Sequence, residues 1–223
     1  MVISVTNQPT KSMVQYVVMG GTFDPVHYGH IKSALQLCQA MSYPKVYMMP
    51  CGDAYHKGHV TEATHRAAML SLAIEDEACL KLDLRETQRQ GATYTVDTLM
   101  QLRQELGQVA HIAWVMGTDA AKNLTKWRNW QQIFKLANVI VIHRAEQGID
   151  DMDTKDWPAK AFEQIDQFKQ QAHGGFITLA LEPFEESSTQ IREALRDNQS
   201  VDNHVPQAVL NYIEQHGLYR GNH

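Results

Sequence analysis

The chain has 223 residues, with 20 lysines and arginines against 25 acidic residues and a formal net charge of −5. That length suffices for one large α/β domain with a full core, and the mild acidity argues against a broad nucleic-acid footprint while leaving room for a small nucleotide pocket. No apolar run approaches the ~20 residues of a membrane span, and Cys38, Cys51 and Cys79 lack C-x-x-C spacing, which points to reduced thiols in a cytoplasmic protein.

Residues 1–13, MVISVTNQPTKSM, are polar with no apolar signal core, and are expected to form a flexible tail ahead of a fold spanning 14–220. A first strand, VQYVVM at 14–19, ends on Gly20 and Gly21, and a helix starts near 28–30 and runs to 41. A second strand at 45–50 leads to a helix over 64–77, and a third at 80–84 to a helix over 93–106. Strands at 111–116 and 138–143 flank a helix over 130–137. Residues 145–175 break this rhythm: an acidic, loop-like stretch precedes WPAKAFEQIDQFKQQAH at 157–173, which reads as one helix with Pro158 in its first turn. They are expected to form an insertion within the domain. A last strand at 176–181 precedes a helix beginning SSTQIREAL at 187, and the tail helix is stopped by Gly217. Such alternation implies βαβ units: a single doubly wound, Rossmann-like α/β domain, its mainly parallel sheet covered by helices on both faces. Ligands bind such sheets beyond the carboxyl ends of the strands, so the residues that follow strands carry the functional reading.

GGTFDPVHYGH at 20–30 is the densest such stretch. Gly20 and Gly21 let the backbone approach a ligand closely, Pro25 stiffens the loop, and the strand–glycine turn–helix layout suits phosphate at a helix N-terminus. It is neither the dinucleotide G-x-G-x-x-G nor the Walker G-x-x-x-x-G-K-[ST] pattern. The H-x-x-H spacing of His27 and His30 admits three readings: ligands of a zinc hydrolase with Asp24, Asp53 or His56 recruited, punctuation at a helix start, or donors to a reacting phosphate.

Farther on, Ser187 and Gln190 fit a capping box, and Arg192 sits early in a helix, where a cation opposes the macrodipole unless an anion is near. Hydroxyls, free N–H groups and a guanidinium within two turns make a polyphosphate cradle; a well-capped surface helix is the alternative. Gly117-Thr118-Asp119 follows a strand and suits close approach to a ribose, or simply a turn with Asp119 as N-cap.

His27-Tyr28-Gly29-His30 resembles the H-x-G-H element of the nucleotidyltransferase superfamily, and the wider GGTFDPVHYGH is similar to the start of bacterial nicotinate-nucleotide adenylyltransferases. SSTQIR resembles that family's I-S-S-T-x-I-R phosphate grip, carrying over Ser188, Thr189 and Arg192, with Glu186 where the family usually has an apolar residue. Gly117 and Asp119 match its G-x-D element at the adenosine site, to which the resemblance also assigns Gly20 and Arg144. TYTVDTL at 93–99 resembles S-Y-T-x-x-T-L, placing Thr93, Tyr94 and Thr95 at the pyridine nucleotide with Gly21, Phe23 and, as a stacking plane, Trp127; Trp130 is assigned to the core. The loop at 50–57, PCGDAYHK, keeps His56 and Lys57 but lacks the asparagine and both internal prolines of P-N-x-x-P-P-H-[KR], which leaves the choice between acid and amide pyridine nucleotide open. The resemblance runs from about 14 to 220.

It implies transfer of the AMP moiety of ATP to nicotinate mononucleotide, giving nicotinate adenine dinucleotide and pyrophosphate in NAD biosynthesis. A phosphate monoester has its second pKa near about 6, so the nucleophile needs no general base, in keeping with the lack of a Ser-His-Asp or Cys-His pattern. His27 and His30 would act as donors, with Thr22, Lys57, Ser188, Thr189 and Arg192 on the ATP phosphates. Mg²⁺ is expected through ATP and water, without a dedicated protein metal site. Competing readings are the same chemistry on nicotinamide mononucleotide or on both, a non-catalytic nucleotide sensor, and the zinc hydrolase. No nucleic-acid or membrane partner is expected, and a homo-oligomer stays open.

Overall fold

A computed structural model describes residues 13–52, 60–144, 152–184 and 186–220, with Arg144 by its backbone alone. Near-continuous apolar strands are the mark of a sheet buried on both faces. β1 (Gln15–Gly21), β2 (Val46–Pro50), β3 (Leu80–Leu82), β4 (His111–Gly117), β5 (Asn138–Arg144), β6 (Lys160–Ala161) and β7 (Gly175–Leu181) form such a sheet in the order β3-β2-β1-β4-β5-β7-β6. Every pairing in it is parallel.

Alternate strand residues feed two cores. Val17, Met19, Met48, Ala113, Val115 and Ile140 face α1 (Tyr28–Met41), α2 (Ala63–Ala73), α6 (Ile165–Lys169), α7 (Ser188–Arg196) and α8 (Gln207–Gln215). Val18, Met49, Ile112, Trp114, Met116 and Val139 face α3 (Thr95–Leu106), α4 (Thr118–Lys122) and α5 (Trp130–Leu136). Each fully buried Val, Leu, Ile or Phe removes enough apolar surface to contribute about 1.5–3 kcal/mol. The connection after β1 runs to one side of the sheet and that after β4 to the other, so the order reverses between them and a crevice opens at their carboxyl ends.

Helix ends differ from the sequence reading where charge or packing intervenes. α2 stops at Ala73 rather than 77, because Glu75, Asp76 and Glu77 would load acid onto the negative end of its dipole. The single helix expected over 157–173 is not formed. Lys160–Ala161 add instead to the sheet edge as β6, with Lys160 N–H on Gly174 O and Phe162 N–H on Phe176 O, and only Ile165–Lys169 are helical. Trp157 and Phe162 are buried in different cores, and no single helix face could serve both.

Two polar side chains tie this segment to the sheet. Asn138 Nδ2 donates to Gln171 O at 2.9 Å and its Oδ1 accepts from Gly175 N–H at 2.9 Å. His111 bridges Gln171 O and the Tyr43 hydroxyl.

Candidate active site at the β1–β4 crevice

The turn after β1 is built from glycines because nothing else fits. A β-carbon on Gly20 would stand 2.8 Å from the Trp114 ring, and one on Gly21 would stand 2.7 Å from the Phe23 ring. Phe23 itself adopts a left-handed φ of 51° and is 2% exposed. It props the turn from below and does not line either cavity described here, which corrects its expected place against a pyridine nucleotide.

Asp24 is the most tightly held residue of the loop. Its Oδ1 accepts from the Tyr219 hydroxyl at 2.5 Å, its Oδ2 from Thr61 N–H at 3.2 Å, and its carbonyl from Arg192 Nη1 at 2.6 Å. The Ser188 hydroxyl donates to Pro25 O at 3.0 Å. Buried Arg66 joins this turn to the one after β2, donating to Thr22 O, Cys51 O, Gly52 O and Thr61 O, each at 2.8 Å. A guanidinium buried among carbonyls satisfies groups that water would otherwise have to reach.

His27 is the N-cap of α1, and its carbonyl takes the N–H groups of His30 and Ile31. The two imidazoles stack with centroids 3.7 Å apart, and His30 meets the edge of Phe23. Burial holds His27 down at about 4, working against the nearby Glu186 carboxylate, so its ring is neutral at pH 7. His27 Nδ1 has no hydrogen-bond partner among the described residues.

Two cavities meet here. One of about 480 Å³ is lined by His27, Gly29, His30, Gly117, Thr118, Asp119, His143 and Glu186. The other, of about 660 Å³, is lined by Gly20, Gly21, Thr22, Glu86, Thr93, Tyr94, Thr95, Trp114, Gly117, Trp127 and Arg128. Gly117 belongs to both. The structure thus brings His27, His30, Gly117 and Asp119 together on one side and Gly21, Thr22, Thr93, Tyr94, Thr95 and Trp127 on the other. Gly20, expected with the adenosine residues, lies on the second side because its α-carbon sits against Trp114. Trp130 packs edge-on against Phe134.

On α7, Thr189 is exposed and its Oγ1 accepts from Arg192 Nη2 at 3.4 Å. The capping box does not form: Ser187 is the N-cap by backbone alone, with no side-chain cap bond. The hydroxyl that matters at this turn is that of Ser188, held on Pro25. Asp119 lies in the first turn of α4, whose N-cap is Gly117 rather than Asp119. Lys57, with Asp53 and His56, lies outside the described residues, as does the Arg144 side chain.

Several lining or supporting residues carry no sequence signal of their own. Arg128 stacks 4.6 Å over the Tyr94 ring. Burial raises the Glu86 carboxyl above the usual range, and Thr98, itself a hydrogen-bond acceptor from Arg89, donates to it at 2.7 Å. Tyr219 acts on the loop from 195 positions away. Only folding discloses such partners.

Comparison with known proteins gives a consistent picture. The model of the cytidylyltransferase-like family matches residues 18–194. A protein of Hahella chejuensis named "Probable nicotinate-nucleotide adenylyltransferase" is 41% identical over 211 residues, covering 91% of this chain and 94% of its own. One of the same name from Chromobacterium violaceum is 37% identical, covering 91% and 97%. In three dimensions, the nicotinic acid mononucleotide adenylyltransferase of Plasmodium falciparum complexed with NaAD shares the fold at a TM-score of 0.69 and 18% identity, over 92% of this chain and 97% of that one.

Proposed function

Because this chain belongs to the cytidylyltransferase-like family, among its nicotinate-nucleotide adenylyltransferases, we propose that it transfers the adenylyl group of ATP to nicotinate mononucleotide in NAD biosynthesis. The products are nicotinate adenine dinucleotide and pyrophosphate. The observation that carries this reading is the pair of cavities meeting at Gly117, one bearing the two histidines and the other an aromatic and cationic lining.

ATP takes the smaller cavity, with Gly117 and Asp119 toward its ribose and its phosphates at the start of α1. The pyridine nucleotide takes the larger one, its ring against Trp127 and Tyr94. Lys126 and Arg128 line that cavity beside the first turn of α3, which favours a ring carboxylate over a neutral amide.

The mononucleotide phosphate, already a dianion, attacks the α-phosphorus; the new P–O bond forms as the bond to the β-phosphate oxygen breaks, and pyrophosphate leaves. What the protein supplies is in-line placement and donors for charge gathering on phosphate oxygens. His27 and His30 donate from the α1 end. Ser188, Thr189 and Arg192 receive the departing pyrophosphate from the α7 end, joined in this role by Thr22 and Lys57. ATP would carry Mg²⁺, which would neutralise charge on the phosphates and would be held through ATP and water; the Asp24 carboxylate is engaged by Tyr219 and Thr61, and among the described residues there is no group of three or more His, Cys, Asp or Glu that could hold a metal. We take 14–220 as one catalytic domain, and place it in the cytoplasm; no helix among the described residues is long and apolar enough to cross a membrane.

The test is direct. The protein is incubated with MgATP and nicotinate or nicotinamide mononucleotide, and pyrophosphate release and the dinucleotide are measured. The acid is expected to be the better substrate; a strong preference for the amide, or no product from either, overturns the proposal.

A further inference from the structure

Glu186 stands just ahead of α7, and its side chain is only 9% exposed although it lines the smaller cavity. Its Oε1 pairs with Lys32 Nζ at 3.8 Å, in the second turn of α1. Its Oε2 reaches the first turn: a β-carbon on Gly29 would meet Oε2 at 3.3 Å and His27 Nδ1 at 3.0 Å. A carboxylate and an imidazole nitrogen with no bonded partner among the described residues therefore converge over one α-carbon. Asp119, His143 and Glu182 also line this cavity. His30 stacks on His27, the carbonyl of nearby His204 takes the Tyr28 N–H, Lys32 balances Glu186, and Asp24 is held by Tyr219, Thr61 and Arg192.

We propose that Glu186 is a positioning residue for His27 whose carboxylate also competes with the triphosphate for the start of α1. This rests on the reading of His27 as a phosphate donor. Two consequences pull in opposite directions. An anion already at the positive end of α1 repels the incoming phosphates, which weakens ATP binding in the ground state. The same anion favours a proton on His27, against burial and His204, and so strengthens the donor as charge builds on the phosphates. Glu186 thus lowers ATP affinity while raising turnover, a split that loss of packing alone does not produce.

Glu186→Gln, Glu186→Asp and Lys32→Met are compared with the wild type in steady-state assays at neutral pH. Glu186→Gln is expected to lower the ATP KM about 3–10-fold and to lower kcat by a similar factor. Glu186→Asp recovers part of kcat, and Lys32→Met, which leaves the carboxylate uncompensated, raises the ATP KM. An ATP KM that is unchanged or higher in Glu186→Gln overturns the proposal, as does an unchanged kcat. Wild-type protein that forms no dinucleotide overturns the underlying reading instead, so the two failures are distinguishable.

Discussion

Arg192 on α7 donates to the backbone carbonyl of Asp24 at 2.6 Å, joining positions 168 apart in the chain. The bond makes the two segments proposed to hold phosphate one object: the α1 loop cannot shift without carrying the head of α7 with it. Ser188 on Pro25 repeats the link one residue along the loop.

Arg192→Ala is therefore expected to raise the ATP KM by about 10–100-fold, the scale of one lost hydrogen bond to a charged group. Arg192→Lys keeps the charge but cannot reach Asp24 O and Thr189 together, so it recovers only part of the loss. An unchanged ATP KM in Arg192→Ala would show that α7 is a surface helix with no hold on phosphate.

His30→Ala should keep the fold and lower kcat by roughly 10²–10³-fold, the usual consequence of removing one preorganised donor. Its ring also braces His27 by stacking, so the variant's ATP KM is expected to change less than its kcat. Near-normal turnover would sink the donor role.

The glycine of H-x-G-H has a measurable reason to be there. In Gly29→Ala the new methyl crowds the His27 ring and the Glu186 carboxylate, and turnover is expected to drop about tenfold or more as His27 is displaced. Stability, read by thermal or urea unfolding, should stay within about 1 kcal/mol of wild type, since alanine's better helix propensity offsets crowding. Loss of stability with full activity per folded molecule would refute this.

His111 gives the fold a pH dependence of definite sign. Its Nδ1 donates to Gln171 O at 2.6 Å, leaving Nε2 to accept from the Tyr43 hydroxyl at 2.8 Å, and burial holds its folded pKa down at about 4. The unfolded chain binds that proton near the ordinary value of about 6.5. Stability is therefore full above that value and falls as pH drops toward 4, with a slope of up to about 1.4 kcal/mol per pH unit for this one group. His27 acts in the same direction. Urea unfolding between neutral and mildly acidic pH measures the slope, and His111→Phe, which has no proton to take up, should flatten it.

Much of this was legible along the chain, because the signals are local. Apolar runs and helical spacing follow from a backbone periodicity that each segment carries by itself, which is why β1, β2, β4, β5 and β7 and the helices α1, α3, α5, α7 and α8 lie where their residues suggest. GGTFDPVHYGH and SSTQIR suggested a phosphate site, which their residue chemistry left open among other readings and which the family resemblance favoured. The sequence was misleading where a segment's conformation depends on what lies against it. In 157–173, Trp157 and Phe162 are drawn to opposite cores, and an edge strand replaces the expected helix.

Tertiary structure alone decided the rest. Phe23 became a prop because the turn needed filling from beneath, and Gly20 joined the larger cavity because Trp114 lies under it. Tyr219, Arg66 and Glu186 acquired roles through partners far away in sequence, Asp24, the carbonyls of two separate turns, and the first turns of α1. A residue's own chemistry can be read in one dimension. Its burial, its charge neighbours and its proton affinity come from groups that only the closed sheet brings within contact distance.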